Sequence, residues 1–285
     1  MSLFPEYKLY KGGHYSFTLN LMEKTASIGG HTDGSPVVVL PQTVEVDGVT
    51  YAVRTTGPLS FSEEPGLEEL VIPDGYRSLG LGSFADCPKL RKVSLGKDFG
   101  SGEVLPFYPR LGGILGNWSV DRTALKEVTV SEDNPHIRMS ADGMFILSSD
   151  GKTVLATVLD PGKELTVPEG ITAIEYEALS WLDRTETISL PDGLEIIGDG
   201  AFYADRRLKR LRIPASVRFL GELFMAGCDF IEELTVLCSP KALFGIDPPD
   251  EVPFDRCKLC VPADRLNEFR AHRGWSSFKT IMPIL

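Results

Sequence analysis

Between Leu165 and Val236 the chain repeats itself. The line Leu165-Thr-Val-Pro168-Glu-Gly-Ile171-Thr-Ala-Ile174 is followed by Ile188-Ser-Leu-Pro191-Asp-Gly-Leu194-Glu-Ile-Ile197-Gly198. A third copy, Leu211-Arg-Ile-Pro214-Ala-Ser-Val217-Arg-Phe-Leu220-Gly221, comes next. The three prolines stand 23 residues apart, and a further 23 reaches Leu237, behind Leu234-Thr-Val236. A unit this short cannot bury its own apolar face. It has to stack on its neighbours, so the period predicts a solenoid.

Each position can be named by its distance from the proline slot. The residues three and one before the slot are aliphatic in every copy: Leu70/Ile72, Val93/Leu95, Val128/Val130, Leu165/Val167, Ile188/Leu190, Leu211/Ile213, Leu234/Val236 and Leu259/Val261. That alternation predicts a short strand with one buried face, and stacking parallel strands would set like residues on like. Proline fits directly after the strand, where it need not donate to the ladder. Aliphatics return three and six after the slot, as Ile171/Ile174, Leu194/Ile197 and Val217/Leu220. Glycine follows at Gly80, Gly198 and Gly221, where a tight corner is expected to use its freedom at positive φ. Eleven after the slot stand Phe84, Leu179, Phe202 and Met225, and fourteen after it Cys87, Leu182, Asp205 and Cys228. Each coil therefore reads as two short strands and a corner filled by one large side chain.

These residues resemble one family. Phe84-Ala-Asp-Cys87-Pro-Lys-Leu90 and Gly198-Asp-Gly-Ala-Phe202 are similar to the corner of the BspA-like leucine-rich repeats, which are common in surface proteins of gut and oral bacteria. The best matches are Leu67–Leu95 and Thr185–Val236; Gly96–Asp121 departs from the pattern. Asn134-Pro135 with Ala141-Asp-Gly143 and Phe145–Lys152 resembles the hairpin these proteins carry between repeats. Leu259-Cys-Val-Pro262, Phe269, Gly274-Trp275 and Phe278 resemble their C-terminal cap. The resemblance implies a mainly β, right-handed leucine-rich-repeat solenoid, export to the cell surface or medium, and Cys87 and Cys228 as small buried hydrophobes.

In order along the chain, residues 1–56 read as a β-rich N-terminal cap merging into the first coil. Its strands are expected at Tyr15–Leu19, Val37–Pro41 and Tyr51–Arg54, with turns at Asp33-Gly34 and Asp47-Gly48. Val37–Pro41 could already belong to the stack. Residues 57–262 read as the solenoid, with insertions at about 100–121 and 132–160. The first insertion carries Phe107, Tyr108 and Trp118 and reads either as a loop folded back on the coil or as part of a binding face. The second reads as a β-hairpin, Met144–Leu147 with Thr153–Val158 around Asp150-Gly151. Residues 263–285 form a C-terminal cap. There Asp264 is expected to N-cap a short helix reaching about His272, Leu266 and Phe269 to give it an apolar stripe, and Trp275 and Phe278 to close the core.

Charge and motif narrow the function. A net charge of −11 with no Lys/Arg cluster argues against nucleic acid and anionic membranes. No run of about 20 apolar residues suggests a spanning helix. The start Met1-Ser-Leu-Phe-Pro-Glu does not read as a signal peptide. That suits either a cytoplasmic protein or an exported one whose leader precedes this sequence, and the resemblance favours the second. The histidines His14, His31, His136 and His272 are scattered without ligand spacing, so no metal site or cofactor is expected. Cys257 and Cys260 form C-x-x-C, yet Cys260 falls on a strand, where the two point to opposite faces. Five scattered cysteines do not suggest a disulfide framework. Nucleophile elbow, zincin and P-loop motifs are missing, Ser94-Leu-Gly-Lys97 is a strand end, and Asn117-Trp-Ser119 is a sequon without meaning in a bacterium. Asp247-Pro-Pro-Asp-Glu251 reads as a solvated acidic loop rather than a Ca²⁺ site. An enzyme is not expected.

What remains is the outer face of the strand ladder. Four before the slot runs the column Glu69, Lys92, Glu127, Glu164, Thr187, Arg210, Glu233, Lys258; two before it runs Val71, Ser94, Thr129, Thr166, Ser189, Arg212, Thr235, Cys260. The face is either a solvated sheet of β-formers and paired charges or a platform for a protein or glycan ligand. The candidate binding residues are Lys92, Glu127, Thr129, Thr187, Ser189, Arg210, Arg212, Glu233 and Thr235. Glu233 is expected to pair with Arg210. Arg212, with no carboxylate in its column, is expected to be the most available cation. The expected function is a monomeric adhesion or interaction module; the alternative is a structural spacer in a larger surface assembly.

Overall fold

The computed structural model describes residues 6–80, 82–101, 125–240 and 252–284. The insertion aromatics Phe107, Tyr108 and Trp118, the sequon at Asn117 and the loop Asp247–Glu251 lie outside the described residues. Over the described residues the protein is mainly β, with the stacked parallel strands of a β-solenoid in each of its units and one short α-helix near the C-terminus. Its chain divides into two compact units, Met1–Ser149 and Asp150–Leu285.

The second unit shows the repeat most plainly. Strands Glu164–Thr166, Thr187–Ser189, Arg210–Ile213, Glu233–Val236, Lys258–Val261 and Thr280–Pro283 form a parallel ladder. Their register steps by whole repeats: Leu165 faces Ile188, Ile188 faces Leu211, Leu211 faces Leu234, and Leu234 faces Leu259. All five of these side chains are buried. Each contributes about 1.5–3 kcal/mol by leaving water, and the stack repeats that gain coil by coil. A second, shorter ladder runs through Ala173–Ile174, Ile196–Ile197 and Phe219–Leu220, with Ile174, Ile197 and Leu220 inward. Phe202 and Met225 fill the corners completely buried.

The proline slot behaves as its chemistry requires. Where the slot is not proline, its amide extends the ladder: Gly96 donates to Ile72 O and Leu237 to Ile213 O. Pro168, Pro191 and Pro214 omit that bond. Each instead opens a turn whose carbonyl accepts from the residue three further on, Ile171, Leu194 and Val217.

The glycine seven after the slot has a different cause from the one expected. Positive φ occurs nine and thirteen after the slot, at Gly82, Glu177, Gly200 and Leu223 and at Asp86, Trp181, Ala204 and Gly227; Gly80, Gly198 and Gly221 are not among the residues that adopt it. They are glycine because neighbouring coils touch there backbone to backbone. A Cβ on Gly221 would lie 2.2 Å from Asp199 N, and one on Gly80 2.3 Å from Gly57 C. The 23-residue match between Gly57 and Gly80, Leu59 and Gly82, and Phe61 and Phe84 shows one more coil corner at 57–63. Leu59 and Glu63 there have the same positive φ.

The second unit ends differently from the sequence expectation. Asp264 does not cap a helix: a 3₁₀ turn occupies Ala263–Arg265, the α-helix runs Leu266–Ala271, and Arg265 at its N-cap makes no side-chain capping bond. Pro262 starts the turn early, which places Asp264 inside it. Phe269, Trp275 and Phe278 are buried and pack together, the Phe269 and Trp275 rings edge to face at 5.6 Å.

In the first unit the sheet order is Tyr7–Gly12, Tyr15–Asn20, Thr25–His31, Val49–Thr56, Thr43–Val46. Asp47 and Gly48 both have positive φ and join the last two strands as a two-residue hairpin. Strands Tyr7–Gly12, Thr25–His31 and Thr43–Val46 had no counterpart in the sequence reading. Val37–Val39 does belong to the stack: it pairs in parallel with Glu69–Ile72, Val38 opposite Leu70, and Lys92–Leu95 and Glu127–Val130 follow. Further strands form at Ile137–Met139, Phe145–Ser148 and, in the second unit, Thr153–Thr157.

Candidate functional site: the exposed face of the ladders

Pleating turns the two outer columns to solvent. In the second unit Thr166, Thr187, Ser189, Arg210, Arg212 and Lys258 are exposed, and Glu233, Thr235 and Cys260 half-buried. Parallel register sets Thr187 beside Arg210, Arg210 beside Glu233, and Arg212 beside Thr235. In the first unit Lys92 lies between Glu69 and Glu127, its Nζ 3.8 Å and 3.7 Å from their carboxylates. Thr129 Oγ1 donates to Ser94 Oγ at 3.1 Å across the same ladder. Lys92, Glu127 and Thr129 thus belong to the first unit, and Thr187, Ser189, Arg210, Arg212, Glu233 and Thr235 to the second.

Two charge assignments are corrected. Arg210 and Glu233 are register neighbours, yet they form no ion pair among the described residues. Arg212 is not the uncommitted cation: its Nη1 donates to Asp192 Oδ1 at 3.1 Å, reaching the turn after the preceding proline slot. A long side chain leaves its own column more readily than a strand leaves its register. The Arg212–Asp192 pair is 53% and 85% exposed, so it contributes about 0–1 kcal/mol and yields easily to another anion.

Opposite charges instead pair one residue further back, five before the slot. Arg91 meets Glu68 at 2.8 Å, and Glu186 takes Lys163 on one side at 3.5 Å and Lys209 on the other. Lys209 and Lys163 hold the Glu186 carboxyl below its ordinary range, the Lys209 hydrogen bond most. The sequence carried this signal as opposite charges 23 residues apart. It lies one residue before the strand, outside the strand's own outer columns.

The cysteines are thiols in packing positions. Cys87 Sγ and Cys228 Sγ each donate to a carbonyl of the preceding coil, Phe61 O and Phe202 O, both at 3.1 Å. Burial pushes the Cys228 thiol well up, and raises Cys238 to about 11 and Cys257 to about 12. Cys257 is buried and Cys260 half-exposed, as strand alternation requires, and both are unbridged. Among the described residues no group of His, Cys, Asp and Glu is arranged to hold a metal ion.

Repeat and ladder together define a leucine-rich-repeat protein. The family model for the BspA type leucine rich repeat region matches in six copies, over residues 50–108 and 161–243, and the chain belongs to that family. Solved structures with a similar trace include a leucine-rich repeat protein from Bacteroides ovatus (19% identity, 96% of this chain and 76% of that one, TM-score 0.47). A second comes from Eubacterium ventriosum (13%, 90% and 84%, 0.48). The pneumococcal vaccine antigen PcpA is a third, at 15% identity over 98% of this chain and 99% of that one, with TM-score 0.44. No curated protein matches the chain in sequence.

Proposed function

We propose that this protein is a non-catalytic interaction module displayed at the bacterial surface, which presents the exposed ladder face of its coils to a protein or glycan ligand. Membership of a surface-protein repeat family supports the location. One observation carries the binding reading: the outer columns hold hydroxyls and charges in register, with Arg210 exposed beside Thr187 and outside any ion pair among the described residues. Flat, regularly spaced donors of this kind fit an extended partner better than a small molecule.

A glycan array and a pull-down with the intact chain test the proposal, repeated with Arg210→Ala and with Thr187→Ala/Ser189→Ala. All these side chains face water, so the variants should melt with the parent while binding falls severalfold. A ligand whose affinity ignores the ladder variants refutes the site. An array and pull-down that return no ligand favour the structural spacer.

A further inference from the structure

A second surface in the Asp150–Leu285 unit has the chemistry of a ligand site. Thirteen residues after the proline slot the corner backbone is left-handed in coil after coil, at Asp86, Trp181, Ala204 and Gly227. Three of those residues are small or acidic, types that tolerate this conformation well. An indole tolerates it poorly, yet Trp181 sits there with φ 58° and remains 47% exposed. Folding requires the left-handed corner but not a tryptophan on it. A strained, exposed aromatic at a position where neighbouring coils use alanine and glycine therefore points to function.

Its surroundings agree. The Trp181 amide donates to Tyr203 O at 2.9 Å, which fixes the backbone beneath the ring. The Tyr203 ring meets the indole edge-on, centroids 5.7 Å apart and planes at 63°. The Arg206 guanidinium lies over the indole, 5.9 Å from its centroid. Arg206 and its neighbour Arg207 are exposed, and neither joins an ion pair among the described residues. By contrast Arg184, one coil earlier, is engaged by Asp160 at 2.7 Å. In a chain of net charge −11, Arg206 and, next to it in sequence, Arg207 thus bring two positive charges to an exposed indole backed by a half-buried tyrosine.

We infer that Trp181, Tyr203, Arg206 and Arg207 form a binding platform for an anionic saccharide, a pyranose carrying a carboxylate or sulfate. The C–H groups on one face of a pyranose are weakly positive and stack on the negative face of an indole. The anionic substituent takes the planar donor fork of a guanidinium, which matches carboxylate and sulfate oxygens in pairs. Polyanions such as nucleic acid are disfavoured, because the net negative charge repels them beyond the reach of two arginines. The platform residue nearest in sequence to the ladder strand Arg210–Ile213 is Arg207, three positions before it, and none of the four belongs to the outer columns of the strands.

The test titrates the full chain with galacturonic acid, a sialyllactose and a sulfated galactose that has no carboxylate, with lactose as the neutral control, read by tryptophan fluorescence and calorimetry. At least one anionic sugar should bind and lactose should bind more weakly. Which of the three binds distinguishes carboxylate from sulfate. Trp181→Gly should weaken binding by about tenfold or more, the scale of one lost stacking contact. It should melt no lower than the parent, because glycine adopts that φ freely. Arg206→Ala/Arg207→Ala should lower the affinity for the anionic sugar and leave that for lactose unchanged. The inference is overturned if none of the three anionic sugars binds, or if Trp181→Gly binds as well as the parent. It also fails if Trp181→Gly melts several degrees lower, which would make the indole structural. Binding lost in Arg210→Ala but kept in Trp181→Gly assigns the sugar to the ladder face and refutes the corner.

Discussion

At the scale of single residues, glycines in neighbouring repeats do opposite work. Gly221 is held by contact: its Cβ would fall 2.2 Å from Asp199 N, a backbone atom that cannot swing away. Gly221→Ala should cost about 3 kcal/mol or more, the upper range of overpacking. Gly193 meets nothing within 4 Å and is not in the left-handed region. Gly193→Ala should therefore stabilise by about 0.4–1 kcal/mol through the unfolded chain. Urea melts of the two variants check the contrast, and equal losses would mean that the coils do not approach as described. Glu177 is a second case. Burial raises its carboxyl above the usual 4.5, and Oε2 is buried without a hydrogen-bond partner among the described residues while Tyr176 OH donates to Oε1. A raised folded-state value favours folding only in the protonated form. That contribution is complete below pH 4.5 and is lost as pH rises through the folded value. At neutral pH the charged group is a burden, so Glu177→Gln should melt higher than the parent at pH 7. The advantage should disappear at pH 4; an advantage that grew on acidification would contradict the burial.

At the scale of elements, the ladder strands stand or fall on their inward residues. Leu211 is buried between Ile188 and Leu234. Leu211→Asp should cost several kcal/mol, because an unpaired charge would replace a core methyl cluster. Its thermal melt should collapse toward room temperature, whereas Arg210→Ala next door should leave it unmoved. These strands were legible because period 2 inside period 23 leaves few alternatives. The strands Tyr7–Gly12 and Thr25–His31 were not, since they pair by antiparallel register that no repeat announces. The candidate face was legible as columns but not as pairings. Backbone register places Arg210 beside Glu233, while side-chain torsions take Arg212 to Asp192. The Trp181 platform joins residues 22 and 25 positions apart, offsets that a reading by equal positions passes over.

At the scale of the whole molecule, the five cysteines give a test of compartment and packing together. All are unbridged, and burial raises every one of their thiols. Reductant should leave the melting temperature unchanged, and a thiol reagent at pH 8 should modify Cys260 first, the rest only on unfolding. A shift of several degrees with reductant alone would indicate a disulfide. Cys87→Ala should cost about 1–2 kcal/mol, as a lost buried group of that size does.

The hydrogen bonds between coils of the second unit also set how it answers to force. Lys209 N holds Glu186 O, Glu232 N holds Lys209 O, and Lys258 N holds Glu232 O, so each coil is tied to the next by bonds lying along the stack. Tension along that direction loads the ties in series, and the weakest opens first without shearing the others. Each 23-residue coil that peels away releases about 80 Å of slack chain. A tether built this way yields in small, reclosable steps rather than snapping, and a pulling experiment should read them as a regular sawtooth.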